Sequence, residues 1–315
     1  LYFGVKELSL NLPQKLGKFQ DIGFEGIFRS GNAVDYSHAV FELRNIRGQL
    51  PGGDIRGSVR ISNFAEPHMN YRLNAQLKLD GFDQIFRIDF LKELKGSVSL
   101  NANFDGPLKS YATHEMDSNR FSTLVFQDIS FVIAQSKKSI TGLRGKIETK
   151  NNQSTIQQLT FQYGANDVAI TATVDNLAYL LFNLENQITA TGTFNAKQLF
   201  TRDFIPDTVS TALIQDRISN LSFDFDIKSI VQKHRDTLIS QEILFAFKNL
   251  SAKLDKLPDL KSVTTTGKLY ETSKGLTLSL ESFHAVLPQG TADITGDLYI
   301  PSRRLWQLDA HVKLN

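Results

Sequence analysis

The chain has 315 residues, 41% of them hydrophobic and 22% charged, with 35 Lys and Arg against 33 Asp and Glu for a formal net charge of +2. That composition supplies ample apolar surface, while charge this balanced gives no electrostatic reason to expect nucleic acid or a polyacidic partner. The absence of cysteine excludes disulfides, a thiol nucleophile and Cys-ligated zinc or iron–sulfur centres, and leaves the compartment open.

Leu1–Gly4 (Leu-Tyr-Phe-Gly) resembles a protease-tag scar lacking its Gln, yet Val5, Leu8, Leu10 and Leu12 continue a natural strand pattern. With no basic and then apolar leader, the chain reads as a mature or excised fragment. Apolar and polar residues then alternate from end to end, and a period of two places every second side chain on one face of a strand. The clearest runs are Leu8/Leu10/Leu12, Leu73/Ala75/Leu77/Leu79, Val98/Leu100/Ala102/Phe104, Val168/Ile170/Ala172/Val174, Leu221/Phe223/Phe225/Ile227, Leu276/Leu278/Leu280 and Trp306/Leu308/Ala310/Val312/Leu314. Strands buried on both faces would be continuously apolar, so one-sided alternation predicts antiparallel strands with one wet face. Turn residues at meander spacing predict about sixteen to eighteen strands in an all-β chain.

Helical spacing is brief. It predicts short capping helices over Phe82–Leu94, Leu177–Leu184 and Lys197–Phe204. Leu177–Leu184, the longest nearly apolar stretch, is far short of the roughly 20 residues that span a membrane. Pro107–Arg120 shows neither period and predicts a long loop separating two similar halves, and Ser229–Thr237 predicts a loop or an internal hinge. Gly26, Gly145 and Gly267 each open a matching strand at intervals of about 120 residues, followed by related strands at Asp54–Ile61, Val168–Val174 and Ala292–Ile300. The chain thus reads as one segment, 1–315, with repeat-like units at approximately 20–110, 121–228 and 240–315.

Catalytic motifs are missing: there is no Gly-x-Ser-x-Gly elbow, no His-Glu-x-x-His and no phosphate-binding glycine loop. Gly142–Lys146 lacks the spacing of such a loop and reads as a hairpin turn, and the six His share no metal-ligand spacing. His114-Glu115-Met116-Asp117 falls in the predicted loop, and Asp224 and Asp226 form the wet face opposite Phe223 and Phe225 rather than a glycosidase pair. The Asn-x-Ser sequons at Asn152, Asn220 and Asn249 are as many as a polar β-protein gives by chance. Trp306 belongs to the apolar face of its strand. No motif calls for a cofactor or a metal, and the expectation is a non-enzyme. The informative feature is the apolar face itself, either the shared core of a closed sandwich or barrel or a surface for acyl chains.

The rhythm of Gly145–Leu177, the run Ile188–Leu199 with its Gly192-Thr193-Phe194-Asn195-Ala196 centre, and Leu79–Phe82 through Leu94–Leu100 resemble the AsmA-like proteins of Gram-negative envelopes, including the TamB branch and the bridge-like lipid transfer proteins. That resemblance implies an elongated, curved antiparallel sheet whose apolar face forms an open groove for phospholipid or other acyl chains, in a periplasmic protein anchored to the inner membrane by a segment outside this chain. It also implies support of outer-membrane lipid homeostasis and envelope biogenesis. The groove-lining candidates are Leu77, Leu79, Val98, Leu100, Phe104, Ile170, Val174, Phe194, Phe223, Phe225, Leu278 and Leu280. The alternative is a closed-core envelope scaffold or adhesin-like module. Both ends lie inside strand pattern without edge protection, which predicts continuation of the sheet in a longer parent protein.

Overall fold

In the computed structural model the described residues are 1–11, 18–31, 36–50, 52–80, 91–107, 119–134, 137–177, 187–200, 203, 217–234, 237–255, 259–272, 275–287, 290–301 and 307–314. They form an all-β, open antiparallel arrangement of seventeen strands with almost no helix. The strands fall into two compact units, Leu1–Asn152 and Gln153–Asn315.

The first unit contains β1 (Tyr2–Asn11), β2 (Lys18–Arg29), β3 (Val40–Leu50), β4 (Gly53–Ser62), β5 (His68–Lys78), β6 (Leu91–Pro107), β7 (Asn119–Ile133) and β8 (Ser139–Lys150). Each pairs antiparallel with its neighbour in the chain. The second contains β9 (Gln153–Tyr163), β10 (Asn166–Asp175), β11 (Gln187–Phe200), β12 (Arg217–His234), β13 (Thr237–Leu254), β14 (Leu260–Thr272), β15 (Gly275–Leu287), β16 (Gly290–Pro301) and β17 (Gln307–Leu314). It is likewise a meander.

The structure corrects four local expectations. Leu91–Leu94 and Lys197–Phe200 are strand rather than capping helix, and of Leu177–Leu184 only Leu177 is described. Ser229–His234 and Thr237 lie in the paired strands β12 and β13 rather than in a loop, with His234 opposite Thr237, and residues 235–236 lie outside the described residues. Gly142–Lys146 runs inside β8 rather than forming a hairpin turn, and Gly26, Gly145 and Gly267 sit within β2, β8 and β14 rather than at their starts. Residues 108–118, most of the predicted long loop, lie outside the described residues, and the unit boundary falls after Asn152.

The helical spacing at Leu91 and Leu94 has a different physical origin. Glu7, Asp21, Asn45, Glu93, Asp128, Gln158, Asn220, Asn249 and Ser262 all have φ between 47° and 57°, inside strands. The pairing register shifts beside each, for example between Leu43 and Ile46 around Asn45 and between Phe247 and Leu250 around Asn249. Each is therefore a β-bulge with a left-handed residue, which inserts one residue, bends the strand and increases its twist. Because the chain slips by one, apolar side chains three apart return to the same face. The sequence Val5-Lys-Glu-Leu8 recurs in kind as Leu43-Arg-Asn-Ile46, Leu91-Lys-Glu-Leu94, Phe126-Gln-Asp-Ile129, Ile156-Gln-Gln-Leu159, Ile218-Ser-Asn-Leu221, Phe247-Lys-Asn-Leu250 and Leu260-Lys-Ser-Val263.

Packing is dominated by small side chains. Most buried apolar residues are Ala or Val, and Phe104 and Val263 are the large ones among those fully enclosed. In the second unit Val263, Ala285 and Ala292 form a cluster with Leu250, Leu260, Phe283 and Leu287, all on neighbouring strands. Asn166, fully buried, donates to the Tyr163 carbonyl at 2.6 Å and to Asp203 Oδ2 at 2.9 Å, and accepts from the Phe200 amide, tying the β9–β10 turn to the end of β11.

Candidate functional site: the apolar faces

Cross-strand pairing settles which residues share a face. In the first unit Leu77 stands opposite Val98 and Val98 opposite Phe126, while Ala75, Leu100, Leu124 and Ile147 form the next row. Tyr71 pairs with Phe104, and their rings stack at 5.8 Å. Leu79 lies one residue beyond β5, its amide donating to the Gly96 carbonyl at 2.8 Å. The five candidates Leu77, Leu79, Val98, Leu100 and Phe104 thus belong to one side of this unit.

In the second unit Ile170 pairs with Phe194 and Phe194 with Phe223. A second row runs Ala172, Gly192, Phe225, Phe247, Thr265, Phe283 and Ile294. A third runs Val174, Ala190, Ile227, Phe245, Gly267, Leu280 and Gly296. Leu278 adds a fourth with Leu269 and Leu298. All seven candidates of this unit therefore share a face, which also carries a file of rings: Phe194 to Phe223 at 5.0 Å, Phe223 to Phe247 at 4.9 Å and Phe247 to Phe245 at 5.1 Å. Of the twelve candidates, Phe104 and Val174 are buried and the other ten keep part of their surface exposed.

Reading the sequence missed Phe3 and Phe126 on the apolar face of the first unit and Phe245 and Phe247 on that of the second. Their signal lay in the glycines: Phe3 stands opposite Gly26, Phe126 opposite Gly145 and Phe245 opposite Gly267. A neighbour without a side chain leaves room for a ring to lie across it.

The opposite side is polar and internally paired. Arg44 grips Glu42 with two hydrogen bonds of 2.7 and 2.8 Å. That grip, with Arg60 and Arg29 adding to it, holds the Glu42 carboxyl below its ordinary range against a smaller opposing effect of burial. His68 meets Asp105 at 2.6 Å and His284 meets Asp293 at 2.7 Å. Asp224 accepts from Asn249 Nδ2 at 2.6 Å. Among the described residues no three His, Asp or Glu cluster as a metal site would require, and no described helix is long and apolar enough to cross a membrane. His114–Asp117 and Trp306 lie outside the described residues.

No known protein family, curated protein or solved structure matches the chain.

Proposed function

We propose that the chain is a non-enzymatic lipid-binding segment of the AsmA-like kind, built from repeats of six strands whose apolar faces form an open trough for phospholipid acyl chains. The observation that carries this reading is the exposed apolar face. Ring and aliphatic rows run strand to strand through each unit, and most of their described members remain partly in water. Acyl chains laid on those faces would recover about 25 cal/mol for each Å² of apolar surface removed from water, with headgroups left outside. A closed-core scaffold would have buried that surface on itself.

The repeat reading draws support from the bulges and the ring–glycine pairs. Glu7, Asp128 and Asn249 lie at intervals of about 120 residues on β1, β7 and β13, and Asp21, Gly142 and Ser262 at the same intervals on β2, β8 and β14. Phe3–Gly26, Phe126–Gly145 and Phe245–Gly267 join the same strand pairs. Recurring bulges bend each repeat alike, the means by which a sheet curls into a trough. In this reading the chain works in the periplasm, between inner and outer membranes reached through flanking segments, and supports outer-membrane lipid homeostasis.

Mass spectrometry of gently purified protein tests it. The expected result is copurified phospholipid, and delipidated protein that regains binding of a fluorescent fatty acid. Protein that carries no lipid and binds none would support the scaffold instead.

A further inference from the structure

Among its described residues the apolar face of Leu1–Asn152 carries one cation. Following the pairing across β3 to β7, the row Leu43, Val59, Tyr71 and Phe104 ends at Arg120. Among the described residues Arg120 is the single charged side chain that this pairing assigns to the apolar rows of the unit. Its Cζ lies 5.5 Å from the centroid of the Phe104 ring, which is itself 1% exposed. The backbone is fixed there, because the Asn151 amide donates to the Arg120 carbonyl at 2.8 Å.

A guanidinium on an aromatic face keeps part of its attraction for charge while losing hydration. A guanidinium is also a planar fork whose geometry matches two oxygens of a phosphate. Position adds to chemistry: Arg120 sits next to the first residue of β7, at one end of the strands, where a headgroup would emerge from chains lying along Ala102, Leu100 and Val98.

We propose that Arg120 receives the phosphate of an acyl lipid whose chains lie on the apolar rows of the same unit. This rests on the lipid-binding reading above and adds the residue that holds the headgroup phosphate and the end of the strands at which it is held.

The test compares two fluorescent probes with identical acyl chains, a phosphatidic acid and the corresponding diacylglycerol, titrated into the purified chain. The wild type is expected to favour the phosphate-bearing probe by about tenfold, the size of one charge-assisted contact. Arg120→Gln should bring the two affinities within about twofold without weakening the diacylglycerol, and Arg120→Lys should keep part of the preference, since it retains the charge but not the fork. The preference is a ratio measured on one preparation, so partial unfolding of a variant lowers both arms and leaves the ratio readable. Full preference in Arg120→Gln would overturn the headgroup site while sparing the apolar-face reading. Wild-type binding of both probes without preference would do the same, and wild-type binding of neither would overturn both.

Discussion

The ring of Phe245 lies over the backbone of Gly267 on the neighbouring strand. A Cβ built at Gly267 would stand 2.6 Å from Phe245 Cζ and closer still to the carbonyl oxygen of Ser279. The glycine is thus held by contacts on two sides, one of which is backbone and cannot swing away.

Gly267→Ala is accordingly expected to cost about 1–3 kcal/mol in urea unfolding, as overpacking does, and Phe245→Ala in the same chain should not restore stability. Gly26 differs, because the atoms closest to an added Cβ there belong to the ring of Phe3 alone. Gly26→Ala should therefore be compensated in large part by Phe3→Ala, and a four-way comparison of unfolding midpoints reads out the difference.

The bulges give a second prediction. Asn220, itself exposed on β12, has φ 52°, a conformation that costs most L-residues about 1–2 kcal/mol and β-branched ones more. Asn220→Val should lower stability by about 1–2 kcal/mol, whereas Asn220→Gly should be neutral or slightly stabilising. Equal effects of the two changes would remove the argument that left-handed geometry sets this position.

Much of the fold was legible because burial on one face imposes a period of two, and Val168, Ile170, Ala172 and Val174 or Phe223, Phe225 and Ile227 carry it without interruption. What misled was a spacing of three. Leu91 and Leu94 read as helical because i, i+3 is a helical interval, yet the same interval arises when a left-handed Glu93 slips a strand by one. A short polar pair between two apolar residues, the second of the pair Asn, Asp, Glu, Gln or Ser, was the discriminating signal. The glycine repeat was visible, but its reason was not, since the partner rings of Phe3 and Phe245 become neighbours only through pairing. Arg120 was legible only as the end of a presumed loop, because its place beside Phe104 depends on where β7 begins.

Substitutions on the apolar faces should separate binding from folding. Leu100→Asp and Phe225→Asp fall on partly exposed positions, so each is expected to shift unfolding by less than about 2 kcal/mol while lowering fluorescent fatty-acid binding more than about tenfold. Phe104→Asp, at a side chain with 1% exposure, should instead fail to fold, since a buried unpaired charge costs several kcal/mol. Unfolding of all three alike would show that these rows are a closed core.

Glu42 supplies a pH dependence. Its carboxyl is held below the ordinary value of 4.5 by the Arg44 hydrogen bonds and neighbouring charge. A carboxyl depressed in the folded state binds protons more readily when unfolded, so its contribution is present above the unfolded value and is lost as pH falls through the folded one. The stability difference between wild type and Glu42→Gln should therefore be largest near neutrality, shrink as pH falls below about 4 and vanish in strong acid. Urea midpoints at a series of pH values measure it, and a difference that stays constant with pH would show that the charge contributes nothing.

Within each unit every strand pairs with the strand made just before or after it. Such a meander needs no distant segment to complete any hydrogen-bond ladder, so the entropy of closing large loops is never spent at one step. Assembly can then begin at any hairpin and advance one strand at a time, as it does in linear arrays whose contacts are all local. A chain threaded outward through a narrow channel, with its later part still unavailable, would have all it needs to start forming structure as soon as two neighbouring strands have emerged.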